Sequence, residues 1–299
     1  MTTPTEPPVP PDRPRPGRKL GPIADNVGST HRAWLVPMRD TYLASGLTLN
    51  ALSDRIRFAK SKLSELLRGV GLYPRWEVVF LIAAELGMPN WPLYRLWRQA
   101  AFEAHRSGEW VERCTERTTI LTAADTAPPM DHRAFRELTE GGYRLYAQVL
   151  LDDEEPDTAV SDTYDTLWLS WNDALTSTDT RRYAWNVLRD TVLARARHRD
   201  GRPELGTAAF NTVALRSLTY PADDLDQVLE LVVLFTAISH LPRRQFDVMV
   251  LRYLCGFTPE AVSALVGASL ATVRSDERHA THFVRDVLDS PPSTEGTTL

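Results

Sequence analysis

The sequence predicts an all-α protein of three helical modules, two of them carrying helix-turn-helix DNA-binding units, and three observations carry that prediction. Apolar residues recur at intervals of three and four along almost the whole chain, the spacing that lines one face of an α-helix. Stretches of strict apolar–polar alternation, the mark of a half-buried strand, are scarce. Glycine and proline gather at breaks between periodic stretches.

The modules follow in order. Residues 1–27 form a Pro-rich arm expected to be disordered, with seven prolines in the first 17 positions. A first helical module spans 28–121, a linker 122–130, a second module 131–199, a linker 200–225, and a third module 226–289. Residues 290–299 read as a disordered tail. The linkers are marked by Pro128-Pro129 and by Gly201, Pro203, Gly206 and Pro221.

At 299 residues the chain can bury more than one core. Its net charge of −5 argues against a protein that coats nucleic acid indiscriminately, yet the charge is unevenly spread. Residues 31–106 hold 11 Lys/Arg against 6 Asp/Glu; from 107 onward there are 19 against 30. The basic side therefore falls in the first module, where phosphate would be met. Cys114 and Cys255 stand outside any metal-ligand spacing and cannot build a disulfide framework, which suits a reducing cytoplasm. The longest apolar run, 231–238, is too short to cross a bilayer, so no membrane association is expected.

In the first module, residues 46–69 read GLTLNALSDRIRFAKSKLSELLRG. Thr48 can cap a helix with Leu49, Leu52 and Ile56 inward; Phe58 turns the chain; a second short helix buries Leu63, Leu66 and Leu67. Its other face offers Lys60, Ser61, Lys62, Ser64 and Arg68, the donors and cations that a major groove accepts. This block, with PRWEVV and the Leu86-Gly87 stop behind it, resembles the Cro/C1-type (XRE) helix-turn-helix family over about 31–88. The resemblance implies an operator-binding domain with Lys60, Ser61, Lys62 and Ser64 on its recognition helix. Two positions depart from the family: Ala59 stands where a capping Ser or Thr is usual, and Glu65 puts an anion on the phosphate-facing side.

The third module contains LPRRQFDVMVLRYLCGFTPEAVSALVGASLATVRS at 241–275. Pro242 starts a helix with Phe246, Met249, Val250 and Tyr253 inward, and Gly256 ends it. Thr258 caps the next helix with Pro259 in its first turn; Gly267 breaks it and Ser269 caps a third. That last helix turns Val273 inward and Arg274, Ser275, Arg278 and His279 outward. The run resembles region 4 of the sigma-70 family, especially its extracytoplasmic-function class. The resemblance implies recognition of the upstream promoter element, with Arg274 and Arg278 nearest the DNA and Ser275 beside them. The departure is Asp276 and Glu277: residues 268–289 carry three Arg against four acids, too little net charge for strong counterion release.

In the second module the acidic DDEEPD precedes TAVSDTYDTLWLSWNDAL, and YAWNVLRDTVLARAR follows. In order, these resemble region 2 of the same sigma class, although Ser161 replaces a usual Gln. The resemblance implies that Asp157, Asp162, Tyr164 and Trp168 face RNA polymerase, and that Arg189, Arg195 and Arg197 lie toward single-stranded promoter DNA near Trp185. From the residues alone, Trp168, Trp171 and Trp185 serve equally as fillers of a helical core.

No P-loop, zincin, nucleophile-elbow or dinucleotide-binding motif is present in the sequence. His279 and His282 have no third ligand nearby in sequence, so neither a metal, a cofactor nor an enzyme is expected. Two functional readings follow. One is a cytoplasmic bacterial sigma-like transcription factor whose partners are DNA and core RNA polymerase, with the XRE-type domain added. The other is an XRE-type regulator whose degenerate sigma-like half binds a regulatory protein and reads no promoter.

Overall fold

The computed structural model describes residues 20–116, 118, 127–206 and 224–289, with side chains described from residue 232 in the last stretch. The protein is all-α, apart from a two-residue antiparallel ladder between β1 (His198–Arg199) and β2 (Arg202–Pro203). Most of the expected linkers and the whole expected tail lie outside the described residues.

The N-terminal part contains α1 (Ser29–Ala44), α2 (Leu49–Ile56), α3 (Lys60–Leu66), α4 (Trp76–Glu85), α5 (Asn90–Glu103) and α6 (Gly108–Thr115). They enclose a core in which Trp34, Trp76 and Trp97 are fully buried. Rings this large dominate the apolar burial, and their N–H groups seek acceptors: Trp97 donates to the Pro74 carbonyl and Trp34 to the Tyr73 hydroxyl. Residues 20–27, grouped by composition with the Pro-rich arm, pack onto this core. Ala24 N–H donates to the Arg68 carbonyl, and Val27 is buried.

The middle part contains α7 (Met130–Leu150), α8 (Glu155–Leu169), α9 (Trp171–Thr176) and α10 (Thr180–Leu193). The stretch TAVSDTYDTLWLSWNDAL is broken at Ser170 into α8 and α9. The C-terminal part contains α11 (Asp224–Ser239), α12 (Arg243–Met249) continuing into a π-turn (Val250–Leu254), α13 (Pro259–Val266) and α14 (Leu270–Asp289).

Two apolar cores organise the described residues. One belongs to the N-terminal part and admits only Leu169 from outside it. The other runs without a break through the middle and C-terminal parts, from Tyr143, Tyr146 and Trp185 to Phe246, Val262 and Val273. Helix α8 is the common neighbour, packed against α7 and α10 of its own part and against α1 and α5 of the N-terminal part.

Candidate nucleic-acid interface

Two helix-turn-helix units share one local construction. In the first, the Thr48 hydroxyl accepts from Ala51 N–H, capping α2. In the second, Thr258 accepts from Ala261 N–H, capping α13, with Pro259 in the first turn where its missing N–H costs nothing. Each first helix ends on a left-handed residue, Arg57 in one and Gly267 in the other. In each, a serine then braces the turn. Ser53 donates to the Phe58 carbonyl and Ser263 to the Ala268 carbonyl, both at 2.6 Å. Beyond the turn, Leu63 and Val273 occupy the same inward position. The second recognition helix has a side-chain cap, Ser269 accepting from Thr272 N–H; Ala59 gives the first none. Such a cap is worth about 1 kcal/mol.

On the first unit, Lys60, Ser61 and Lys62 are exposed and Ser64 is half-buried at the rim. Glu65 accepts from Lys62 at 2.8 Å, so the anion is partly neutralised by its own neighbour. Arg68 lies elsewhere: its Nε is buried against Gly21, where an added Cβ would lie 3.0 Å from it. Arg57, at the turn, is exposed beside the lysines and was not expected at this face.

On the second unit, the feature that weakened the sequence reading has a structural answer. Asp276 is buried and accepts two bonds of 3.1 Å from the Arg244 guanidinium on α12. Glu277 accepts from Arg252 at 2.8 Å and from the Tyr253 hydroxyl at 3.2 Å. Both carboxylates therefore turn inward and hold α14 to α12 and its π-turn. Arg274 and Arg278 remain exposed and Ser275 half-exposed beside them. Arg274 meets Glu260 at 3.1 Å in a pair open to water on both sides, worth little and easily exchanged for phosphate. Arg285 continues the exposed side toward the C-terminal end of α14. Its spacing from Arg278 would have revealed it in the sequence.

The middle part is arranged differently. Asp247, on α12, is nine-tenths buried or more among groups of α7 and α10. Arg189 Nε lies 2.8 Å from each of its oxygens, the Tyr146 hydroxyl donates at 2.9 Å, and Trp185 Nε1 donates at 3.2 Å. Burial pushes this carboxyl upward, while Arg189 and the two neutral donors pull it back down. Arg189 and Trp185, placed toward single-stranded DNA by the region 2 resemblance, are thus enclosed in this conformation. An acid inside the apolar run FDVMV was the one sequence signal for this node.

Two of the four residues placed toward polymerase are enclosed as well. Asp162 is buried and paired with Arg195. Tyr164 is buried, its hydroxyl sharing a 2.8 Å hydrogen bond with Thr139. Trp168 is half-buried near His132. Asp157 is well exposed and takes a 2.6 Å bond from Arg144. Arg197 is exposed and paired with Asp152. Arg95 on α5 bridges to this region, 3.0 Å from Asp165 and bonded to the Ser161 hydroxyl at 2.8 Å. Burial, opposed by Arg95, pushes the Asp165 carboxyl up to about 7. Trp171 and Trp185 are core residues.

Among the described residues no group of three or more His, Cys, Asp or Glu could hold a metal ion, and no helix is long and apolar enough to cross a membrane. Cys114 and Cys255 are both free thiols.

Residues 231–276 match the family described as Sigma-70, region 4. The match covers the end of α11, all of α12 and α13 and the first turns of α14. It makes that segment sigma-like and points to work in transcription. Among curated proteins, none matches the chain.

Proposed function

We propose that this chain is a sigma-like transcription factor that engages core RNA polymerase and promoter DNA, with an XRE-type operator-reading domain at its N-terminal side. The observation that carries the reading is the division of charge on α14. Its two internal acids are consumed by Arg244 and Arg252, and Arg274 and Arg278 are left to solvent within a sigma region 4 segment. The first unit supports the same reading, because Lys60, Ser61 and Lys62 are exposed. Asp157 and Trp168 are the residues of α8 assigned to polymerase; Asp162 and Tyr164 join them only if the cover over α8 moves.

The test is capture of core RNA polymerase followed by transcription from the reconstituted enzyme. The wild-type chain is expected to bind and to direct specific transcripts, while an Asp157→Arg/Trp168→Ala variant loses both. Absence of polymerase binding by the wild type sinks the reading. For DNA, Lys60→Ala/Lys62→Ala is expected to lower the slope of log affinity against log salt by about 2, since each phosphate contact contributes about 0.9.

A second reading draws on the burial of Arg189, Trp185 and Asp162. In it, the sigma-like half is an interaction module for a regulatory protein and only the first unit reads DNA. It predicts that Arg274→Ala leaves DNA affinity unchanged.

A further inference from the structure

We propose that the outward face of α7 is a self-association surface, on which α7 of a second copy of this chain packs in the antiparallel sense.

Helix α7 is the longest among the described residues. One face of it is buried, with Tyr143, Tyr146 and Leu150 in the core. The opposite face carries Met130, Ala134, Leu138, Gly141 and Leu145, all exposed. Met130 is 78% and Leu138 80% exposed, so nothing in the chain covers either. The steps between these positions are four, four, three and four residues, the seam that one helix offers another along a shared axis. A single exposed leucine is ordinary on a protein surface; an apolar row in register over about four turns is a contact surface.

Two further observations name the occupant. The first is Gly141. Helix α7 has two adjacent glycines at its middle, where glycine lowers helix stability relative to alanine. Gly142 has a use within the chain, because a Cβ there would lie 2.9 Å and 3.0 Å from the two methyls of Leu265. Gly141 has none: nothing lies within 4 Å of a Cβ there. Its missing side chain is a notch open to solvent. A two-fold axis midway between residues 139 and 140 sets Leu138 into the notch at the partner's Gly141 and seats Leu145 over the partner's Ala134. Each large residue then meets a small one. A parallel pair sets leucine against leucine and glycine against glycine, which crowds one level of the seam and leaves a void at the next.

The second observation is charge. Arg133, Glu137 and Arg144 run along one edge of the seam, all exposed. Under the same two-fold axis this edge meets itself, and Glu137 falls within two residues of the partner's Arg144, twice by symmetry. Arg144 already reaches Asp157 at 2.6 Å in a pair open to water, and its guanidinium has further donors to offer. The seam is about 22 Å long, shorter than a permanent dimer uses, so a dissociation constant of about 10 µM is expected.

Sedimentation equilibrium of the full chain, from about 1 to 200 µM, brackets that value. The wild type is expected to approach twice the chain mass at the upper end. Leu138→Glu/Leu145→Glu changes two exposed positions and is expected to stay monomeric throughout. Gly141→Leu separates an interface from a merely structural glycine. It is expected to melt no lower than the wild type, because leucine favours helix and meets nothing in its own chain, yet to weaken the dimer at least about tenfold by filling the notch. Glu137→Arg sets like charges along the edge and is expected to weaken the dimer about three- to tenfold, an effect that added salt shrinks. A wild type that stays monomeric overturns the proposal and leaves the seam to a helix of another protein. A dimer that survives Leu138→Glu/Leu145→Glu lies elsewhere on the chain and overturns it too. A dimer lost in the glutamate variant but unchanged or tightened in Gly141→Leu overturns the antiparallel packing, since a parallel pair gains from the added side chain.

Discussion

The two helix-turn-helix units are alike in their backbones and opposite in their surroundings. Thr48 and Thr258, Ser53 and Ser263, Arg57 and Gly267, and Leu63 and Val273 do the same work in each. The first unit carries its cations on a short helix and presents its turn to solvent. The second has its turn seated on α10, its acids tied to arginines of its own module, and its neighbour α12 anchored through a buried charge. The difference teaches that local sequence sets a motif's shape, whereas its availability depends on what the rest of the chain lays against it.

The sharpest way to break the comparison is at Asp247. Asp247→Ala strands the Arg189 guanidinium among apolar groups and removes the acceptor of Tyr146 and Trp185. The expected loss is about 3–5 kcal/mol, read as a lowered urea midpoint. Pairing Arg189→Met with Asp247→Leu should recover most of it, because no charge is then left buried. An equal loss in the double variant would show that packing, not the ion pair, holds the joint.

A smaller effect tests the other attachment, between α5 and α8. The Asp165 carboxyl is raised to about 7, so at low pH both folded and unfolded states hold the proton and no penalty arises. As pH rises toward 7 only the unfolded state ionises, so stability falls, and above 7 the loss is complete. A shift of this size corresponds to at most about 4 kcal/mol. Asp165→Asn should flatten the stability profile between about pH 4 and pH 7; a profile with the same slope in both proteins rules the mechanism out.

The smallest effect compares the two turns directly. Arg57 and Gly267 hold the same left-handed conformation, which costs a residue with a Cβ about 1–2 kcal/mol. Arg57→Gly should therefore gain up to about 1 kcal/mol in stability. Gly267→Arg should lose more than the conformational cost alone, because its Cβ also meets the backbone of α10. Equal and opposite changes at the two sites would mean that Gly267 is not under contact pressure. Thermal melts of both variants decide it.

Much of the candidate site was legible in the chain because it is local. Caps, the break at Gly267 and the inward leucines and valines depend on neighbours within a few positions, and their spacing prints them in the sequence. The partners of the charged side chains were not legible. Asp276 and Glu277 looked like anions on a DNA face because helical spacing alone leaves room for both orientations. Arg189, Arg195 and Asp162 looked available because nothing near them in sequence says what will cover them.

By itself, then, the sequence determined an all-α chain, two helix-turn-helix units with their caps, and the sigma region 4 character of the last segment. Only the tertiary structure decided that the acids of α14 face Arg244 and Arg252, that Asp247 meets Arg189, and that α8 is covered by α1 and α5. The physical reason is range. Hydrogen bonds and apolar periodicity within one helix act between residues a turn apart, while the burial of a charge depends on an oppositely charged group tens of residues away along the chain.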